Sequence, residues 1–226
     1  MPASLLPEEG EMKKIGVLGS GTVGEVLADG LLKHGYEVMR GSRDPGKLAD
    51  WKKRAGSRAR TGTFAETARF GELIMLAVKG SAAESVLDQC DAAALAGKTV
   101  IDATNPIADK PPVNGVLSFF TGTNESLMER LQHRIPTARF VKAFSCVGNA
   151  FMVNPDFAGV RPTMFICGHD AGAKEEAGEI LDRFGWDVED MGEIEAARAI
   201  EPLCMLWCIP GLREDRWNHA FKLLRK

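Results

Sequence analysis

No apolar run in these 226 residues approaches the roughly 18 needed for a bilayer-spanning helix, so the sequence offers no case for a membrane protein. Neither charge is in excess. Lys and Arg number 28 against 31 Asp and Glu, a net −3, which gives no electrostatic reason to expect nucleic acid or a membrane surface as a partner. The first eleven residues contain Pro2, Pro7, Glu8, Glu9 and Gly10 but lack the apolar core of a secretory leader. They read as a disordered arm. The five cysteines are odd in number and scattered, which fits no disulfide framework and is expected of reduced thiols in the cytoplasm. Cys204 and Cys208 stand four apart, on one helical face, with no His or further Cys beside them. Buried core is the expectation there, and no metal site. Internal repeats and low-complexity segments are also missing.

What the chain does have is a stretch around which the rest is organised: Lys13-Lys14-Ile15-Gly16-Val17-Leu18-Gly19-Ser20-Gly21-Thr22-Val23-Gly24. A short apolar run enters Gly-x-Gly-x-x-Gly, and a helical pattern follows with Val23, Leu27, Leu31 and His34 on one face. In such a turn Gly19 permits the tight bend, Gly21 lets backbone amides approach a pyrophosphate, and Gly24 lets helix and strand pack closely. The helix N-terminus then presents unpaired N–H groups and partial positive charge to phosphates. Strand before and helix after make this a dinucleotide site rather than an ordinary Gly-rich turn. Its expected contacts are Gly19, Ser20, Gly21, Thr22, Val23 and Gly24.

The end of the second strand decides between dinucleotides. An NAD site usually carries an acid there for the ribose hydroxyls. Here Tyr36-Glu37-Val38-Met39-Arg40 runs into Gly41-Ser42-Arg43-Asp44-Pro45-Gly46-Lys47, with a hydroxyl and two cations instead. Ser42, Arg43 and Lys47 suit a ribose 2′-phosphate, since guanidinium and phosphate match as a fork. Asp44 is accounted for as the cap of the next helix. The expected cofactor is NADP(H). The competing reading is a solvated turn.

Further on, 48–55 reads as a helix and 58–61 as a third strand. Thr63 with Glu66, and Ser81 with Glu84, form capping-box patterns. Leu73-Ile74-Met75-Leu76-Ala77-Val78 is a strand buried on both faces, ending at Lys79-Gly80. Thr99-Val100-Ile101-Asp102 opens into Ala103-Thr104-Asn105-Pro106, and 103–123 reads as a structureless loop, functional as a substrate lid or subunit contact. Helix is expected from Asn124 to Pro136, then a sixth strand, Arg139 to Phe144, leaving through Ser145-Cys146-Val147-Gly148-Asn149. Strands around Thr163–Gly168 and Trp186–Glu189 alternate with helices capped by Asp170 and starting at Ile194. An apolar terminal helix, Glu201 to Ile209, follows. The fold class expected is α/β: a Rossmann doubly wound, mainly parallel sheet with a smaller C-terminal α/β domain. The boundaries are an arm over 1–11, a dinucleotide-binding domain over 12–144 and an acceptor-site and dimerisation domain over 145–226.

Several motifs in this order resemble the NADP-dependent oxidoreductases of coenzyme F420, the 8-hydroxy-5-deazaflavin. They are the glycine turn, Gly41-Ser42-Arg43, Asp102-Ala103-Thr104-Asn105-Pro106, Val141-Lys142-Ala143-Phe144, Phe165-Ile166-Cys167-Gly168-His169-Asp170, and Ile194-Glu195-Ala196-Ala197-Arg198 with Glu201-Pro202-Leu203. The resemblance covers nearly the whole chain after the arm. It implies that Ser42, Arg43 and Lys47 hold the 2′-phosphate and that Ala77, Val78, Lys79 and Gly80 line the nicotinamide side. Thr104, Asn105, Pro106 and Ser145 are expected to place the nicotinamide or acceptor. Relatives often have Asn where this chain has Ser145, which bears on those contacts.

The implied reaction is hydride transfer between NADP(H) and F420 as co-substrate. No side-chain acid or base is demanded, since the cofactor rings carry the chemistry, and no catalytic residue is assigned; His34, His133, His169 and His219 read as structural, in helix, helix-end, loop and C-terminal helix patterns. Lys79 has two readings: a contact to cofactor or acceptor, or a solvated loop lysine. The alternatives are a flavin or ferric reductase, an imine reductase resembling pyrroline-5-carboxylate reductase, and an NADP(H)-binding sensor without turnover. A cytoplasmic homodimer acting on a small-molecule redox acceptor is expected.

Overall fold

The computed structural model describes residues 13–226; the arm expected over 1–11 lies outside them. The chain opens β1 (Lys14–Leu18), α1 (Thr22–Lys33), β2 (Glu37–Gly41), α2 (Ala49–Arg54), β3 (Ala59–Gly62), α3 (Phe64–Phe70), β4 (Leu73–Leu76), α4 (Gly80–Asp88), α5 (Ala92–Leu95) and β5 (Thr99–Asp102). After a long connection come α6 (Leu127–Arg134), β6 (Arg139–Lys142), β7 (Thr163–Ile166), α7 (Ala171–Arg183), β8 (Asp187–Asp190), α8 (Ala197–Ile200) and α9 (Pro202–Glu214).

Six strands form a sheet in the order β3-β2-β1-β4-β5-β6, and every pairing in it is parallel. This is the doubly wound Rossmann order, whose strand direction carries ligands to the C-terminal edge. Parallel strands covered on both faces must be apolar throughout. All four residues of β4 and of β5 are buried. Side chains alternate across the sheet with the period of two. Ile15, Val17, Leu73, Met75, Ile101 and Val141 pack with Leu27, Leu31 and Leu181 on one face. Leu18, Ile74, Leu76, Val100 and Phe140 pack with Val86, Leu87 and Leu131 on the other.

Strands β7 and β8 pair in parallel around α7 and meet the edge of the large sheet through one antiparallel bridge, Lys142 with Cys167. Met164 and Ile166 of β7, with Phe184 and Trp186 of the turn between α7 and β8, share a core with Ile15 and Val17, so the apolar interior runs on without a break from the first strands to the last.

Side-chain caps mark the starts of α3, α5, α6 and α7. Thr63 with Glu66 forms a reciprocal capping box, as expected, and Asp170 caps α7. Helix α6 starts at Leu127 rather than Asn124 because Ser126 and Glu129 form a capping box. The box expected at Ser81 and Glu84 does not exist: α4 begins at Gly80, with Lys79 as its N-cap and no side-chain cap. Between β5 and α6 the chain is not structureless. Ile107 bridges Phe119, and Val113 and Val116 exchange two backbone hydrogen bonds around Asn114 and Gly115. Both turn residues have positive φ, 52° and 81°, the backbone that Asn-Gly adopts at a tight hairpin.

Helix α9 runs past Ile209 to Glu214 and stops where Asp215 turns left-handed at φ 52°. His219 is therefore not in a helix. Residues 215–226 carry no regular secondary structure: Arg216 N donates to Pro210 O and Trp207 Nε1 to His219 O, folding the segment back on α9, and further on Thr163 N donates to Phe221 O and Leu223 N to Thr163 Oγ1.

Candidate functional site

At the C-terminal edge of β1 the glycine turn is built as its spacing requires. A Cβ on Gly19 would lie 2.2 Å from Ala77 O, and one on Gly24 would lie 2.5 Å from Gly19 O. Strand, turn and helix are thus packed backbone against backbone. Gly21 differs: a Cβ there would meet nothing within 4 Å. It is the N-cap of α1, with no side chain bonded to the first amides. An open helix N-terminus of twelve residues is the geometry that receives a phosphate.

The opening continues into a cleft of about 570 Å³. Ser20, Gly21, Ser42, Arg43, Asp44 and Lys47 form one wall, and Phe64, Ala77, Val78 and Lys79 the other. Asp44 does act as a cap, accepting from Gly46 N at 3.0 Å, which leaves Arg43 and Lys47 without a carboxylate partner among the described residues. Ser42 is 4% exposed and accepts from Asp44 N at 3.2 Å, so its hydroxyl hydrogen stays available. Two uncommitted cations beside a bare helix N-terminus fit the phosphates of NADP(H). Lys79 is the third cation of the cleft, and it is paired with Asp109 of the long connection.

Thr104, Asn105, Pro106 and Ser145 do not line this cleft; they sit further along the same edge. A Cβ on Gly80 would lie 1.9 Å from Asn105 O, so the exits of β4 and β5 are in backbone contact. Asp102 and Lys142 are register partners, which brings Asn105 and Ser145, each three residues further, out from adjacent strands. The two present buried side-chain oxygens without a hydrogen-bond partner, Asn105 Oδ1 and Ser145 Oγ. Groups of that kind cost free energy unless something satisfies them, and an amide-bearing ring such as nicotinamide would. Ser145 follows Phe144, a buried residue held at φ 62°, a strained conformation for a bulky side chain and one typical of functional sites. Thr104 is turned the other way. Its hydroxyl donates inward to Asp102 Oδ1 at 2.7 Å.

Two functional-looking groups escaped the sequence reading. Arg40 has a side chain with no exposure, beneath the glycine turn, and donates to Gly19 O at 3.4 Å, Gly21 O at 3.2 Å and Glu25 at 3.2 Å. Its guanidinium also lies over the Trp51 ring at 4.9 Å. The available signal was an arginine at a buried position of β2, directly before Gly41. The second group is the buried ammonium of Lys142, bonded to Asp102 Oδ2 at 2.8 Å, Glu201 Oε1 at 2.9 Å and Thr104 O at 2.6 Å. Burial works against its charge, but Asp102 and Glu201 outweigh burial and raise its pKa. All three charged residues fall in motifs noted above, yet nothing in their spacing announces that they meet.

Three of the four histidines are occupied elsewhere: His34 contacts Asn154 Oδ1, His169 contacts Glu193, and His219 contacts Trp207 O; His133 lies in the last turn of α6. All five cysteines are unpaired, and no cluster of His, Cys, Asp or Glu suited to a metal occurs among the described residues. No helix among them is long and apolar enough to cross a membrane.

Comparison with known proteins agrees with this geometry. Residues 14–106 match the sequence profile of the family described as NADP oxidoreductase, coenzyme F420-dependent. A solved protein from Arthrobacter sp. FB24, provisionally described as an F420-dependent NADP-reductase, is 31% identical with a TM-score of 0.87, covering 95% of this chain and 100% of that one. The metalloreductase STEAP3 of Rattus norvegicus is 30% identical over 219 residues, 89% of this chain; the chain spans only 39% of the length of that relative. An imine reductase from Pseudomonas sp., 19% identical with a TM-score of 0.64, covers 87% of this chain with 60% of its own and shares the fold. On the strength of the match that spans the whole of the Arthrobacter protein, the chain belongs to the coenzyme F420-dependent NADP oxidoreductase family, a group of NADP-dependent oxidoreductases.

Proposed function

We propose that this protein transfers hydride between NADP(H) and the deazaflavin coenzyme F420. The observation that carries the reading is the continuous edge from the open α1 N-terminus, past Arg43 and Lys47, to the unpartnered oxygens of Asn105 and Ser145. In this reading the amides at Gly21 to Gly24 bind the pyrophosphate, with Ser20 at the mouth of the turn. Ser42, Arg43 and Lys47 select the 2′-phosphate. Ala77, Val78 and Lys79 form the wall along which the cofactor extends, and Asn105, Pro106 and Ser145 orient the nicotinamide end. Bound NADP(H) supplies the hydride, and the chain's own work is to align two rings and keep water out. Reduction of F420 takes up one proton along with the hydride; the ring nitrogen that receives it exchanges with solvent, so no side-chain acid is demanded.

Residues 145–226 form the acceptor side, and the apolar stretch of α9, with Leu206 and Leu212 exposed, is the surface for a second copy. The setting is the cytoplasm. Under anaerobic conditions, purified protein with NADPH and oxidised F420 should bleach the deazaflavin absorbance, saturating with F420. Binding of NADPH without bleaching would reject F420 as acceptor.

A second reading draws on the 30% identity to a metalloreductase over 89% of this chain. It makes the acceptor a flavin that passes electrons to ferric iron. NADPH oxidation that depends on added flavin and ferric chelate, with F420 inert, would establish it. Cyclic imines are the remaining substrates to try, and binding without any oxidation would identify a sensor.

A further inference from the structure

Lys142, Asp102 and Glu201 have side chains exposed by 0%, 0% and 2%. Two buried carboxylates and one ammonium leave a net negative charge, which burial alone would make unfavourable. Helix α6 offsets it: Leu127 N and Met128 N both donate to Glu201 at 3.0 Å, placing the carboxylate on the positive end of that helix. Asp102 Oδ1 in turn accepts from Thr104 N at 2.9 Å and Thr104 Oγ1 at 2.7 Å. The cluster ties together the ends of β5 and β6 and the starts of α6 and α9.

Its geometry is aimed at the two unpartnered oxygens. The third donor of Lys142 goes to the carbonyl of Thr104, the residue immediately before Asn105. Along the backbone, Lys142 stands three residues before Ser145, with the constrained Phe144 between them. On its far side Asn105 is fixed by contact with Gly80. One ammonium therefore sets both limbs of the nicotinamide end. We propose that Lys142, held by Asp102 and Glu201, is a positioning residue that aims Asn105 and Ser145 at the nicotinamide amide. This rests on the NADP(H) placement given above and is independent of the acceptor.

The test compares two ligands by calorimetry: NADPH, and 2′-phospho-ADP-ribose, which lacks the nicotinamide. In the natural protein NADPH should bind at least tenfold more tightly. Lys142→Met should reduce that ratio at least fivefold while the affinity for 2′-phospho-ADP-ribose stays within twofold. Glu201→Gln, which keeps the shape and one acceptor oxygen, should move the ratio the same way, and it carries the test if Lys142→Met does not fold. In a background where Asn105 and Ser145 are both Ala, neither change should reduce the ratio further. Equal weakening of both ligands would mean that the cluster only supports the fold, and an unchanged ratio would mean that it acts elsewhere. Either overturns the inference. A natural protein that binds both ligands equally would overturn the nicotinamide placement itself, and this inference with it.

Discussion

Gly80 and Asn105 touch through their backbones: a Cβ on Gly80 would stand 1.9 Å from the Asn105 carbonyl oxygen. The contact leaves no room for a side chain at position 80. Gly80→Ala must displace Asn105. Such overpacking costs about 1–3 kcal/mol, which a urea midpoint would measure, and NADPH affinity should fall while 2′-phospho-ADP-ribose affinity changes little. A variant with the natural midpoint would show that the edge yields.

Arg43 is the test of cofactor choice. A charge-assisted hydrogen bond contributes about 1.5–3 kcal/mol, so Arg43→Ala should weaken NADPH by roughly ten- to a hundredfold. NADH, without the 2′-phosphate, should change by less than about twofold. Equal losses for both nucleotides would remove the assignment.

Arg40 acts from beneath the turn. Its guanidinium donates to two turn carbonyls and to Glu25, and Arg40→Met leaves those acceptors without it. A loss of about 2 kcal/mol in unfolding free energy is expected, together with weaker binding of every ligand that carries the pyrophosphate. Arg40→Lys should lie between, because an ammonium cannot span the same fork.

Stability should fall in acid through Glu129. Burial raises its pKa, but hydrogen bonds from Arg198 and Ser126 outweigh burial and lower it overall. A depressed folded value means the contribution is present above the unfolded pKa of about 4.3. It is lost as pH falls through the folded value. Arg198→Ala should move the acid-unfolding midpoint to higher pH in a circular-dichroism titration.

At the alkaline end the sign reverses. Burial pushes the Cys90 and Cys167 thiols up to about 12 and Cys146 up to about 11. Folded chains therefore keep protons that unfolded chains release above about pH 8.5, and stability present below that value declines as pH rises toward the folded pKa values. Thermal melts from pH 8 to 11 should show the decline, and Cys90→Ala should flatten it.

Local signals announced the glycine turn, the buried β4 run, the caps at Thr63 and Asp170 and the basic wall of Ser42, Arg43 and Lys47. Each depends on residues within a few positions of one another, so spacing alone encodes it. The C-terminal stretch misled for the same reason. Around His219 the composition permits a helix, but Asp215 ends α9 and the hydrogen bonds between His219 and Trp207 hold the segment back against that helix.

From its sequence alone this protein was determined to be a doubly wound α/β chain with a phosphate-binding turn and a preference for a 2′-phosphate. Those properties rest on periodicity, glycine spacing and the charge at one strand end. Only the tertiary structure decided that Asp102, Lys142 and Glu201 share one buried site, that Arg40 lies under the turn, and that Asn105 and Ser145 are left with unpartnered oxygens. Each of these joins residues far apart in the chain, and a buried charge finds its partner through the packing of strands and helices, which no local pattern of residues records.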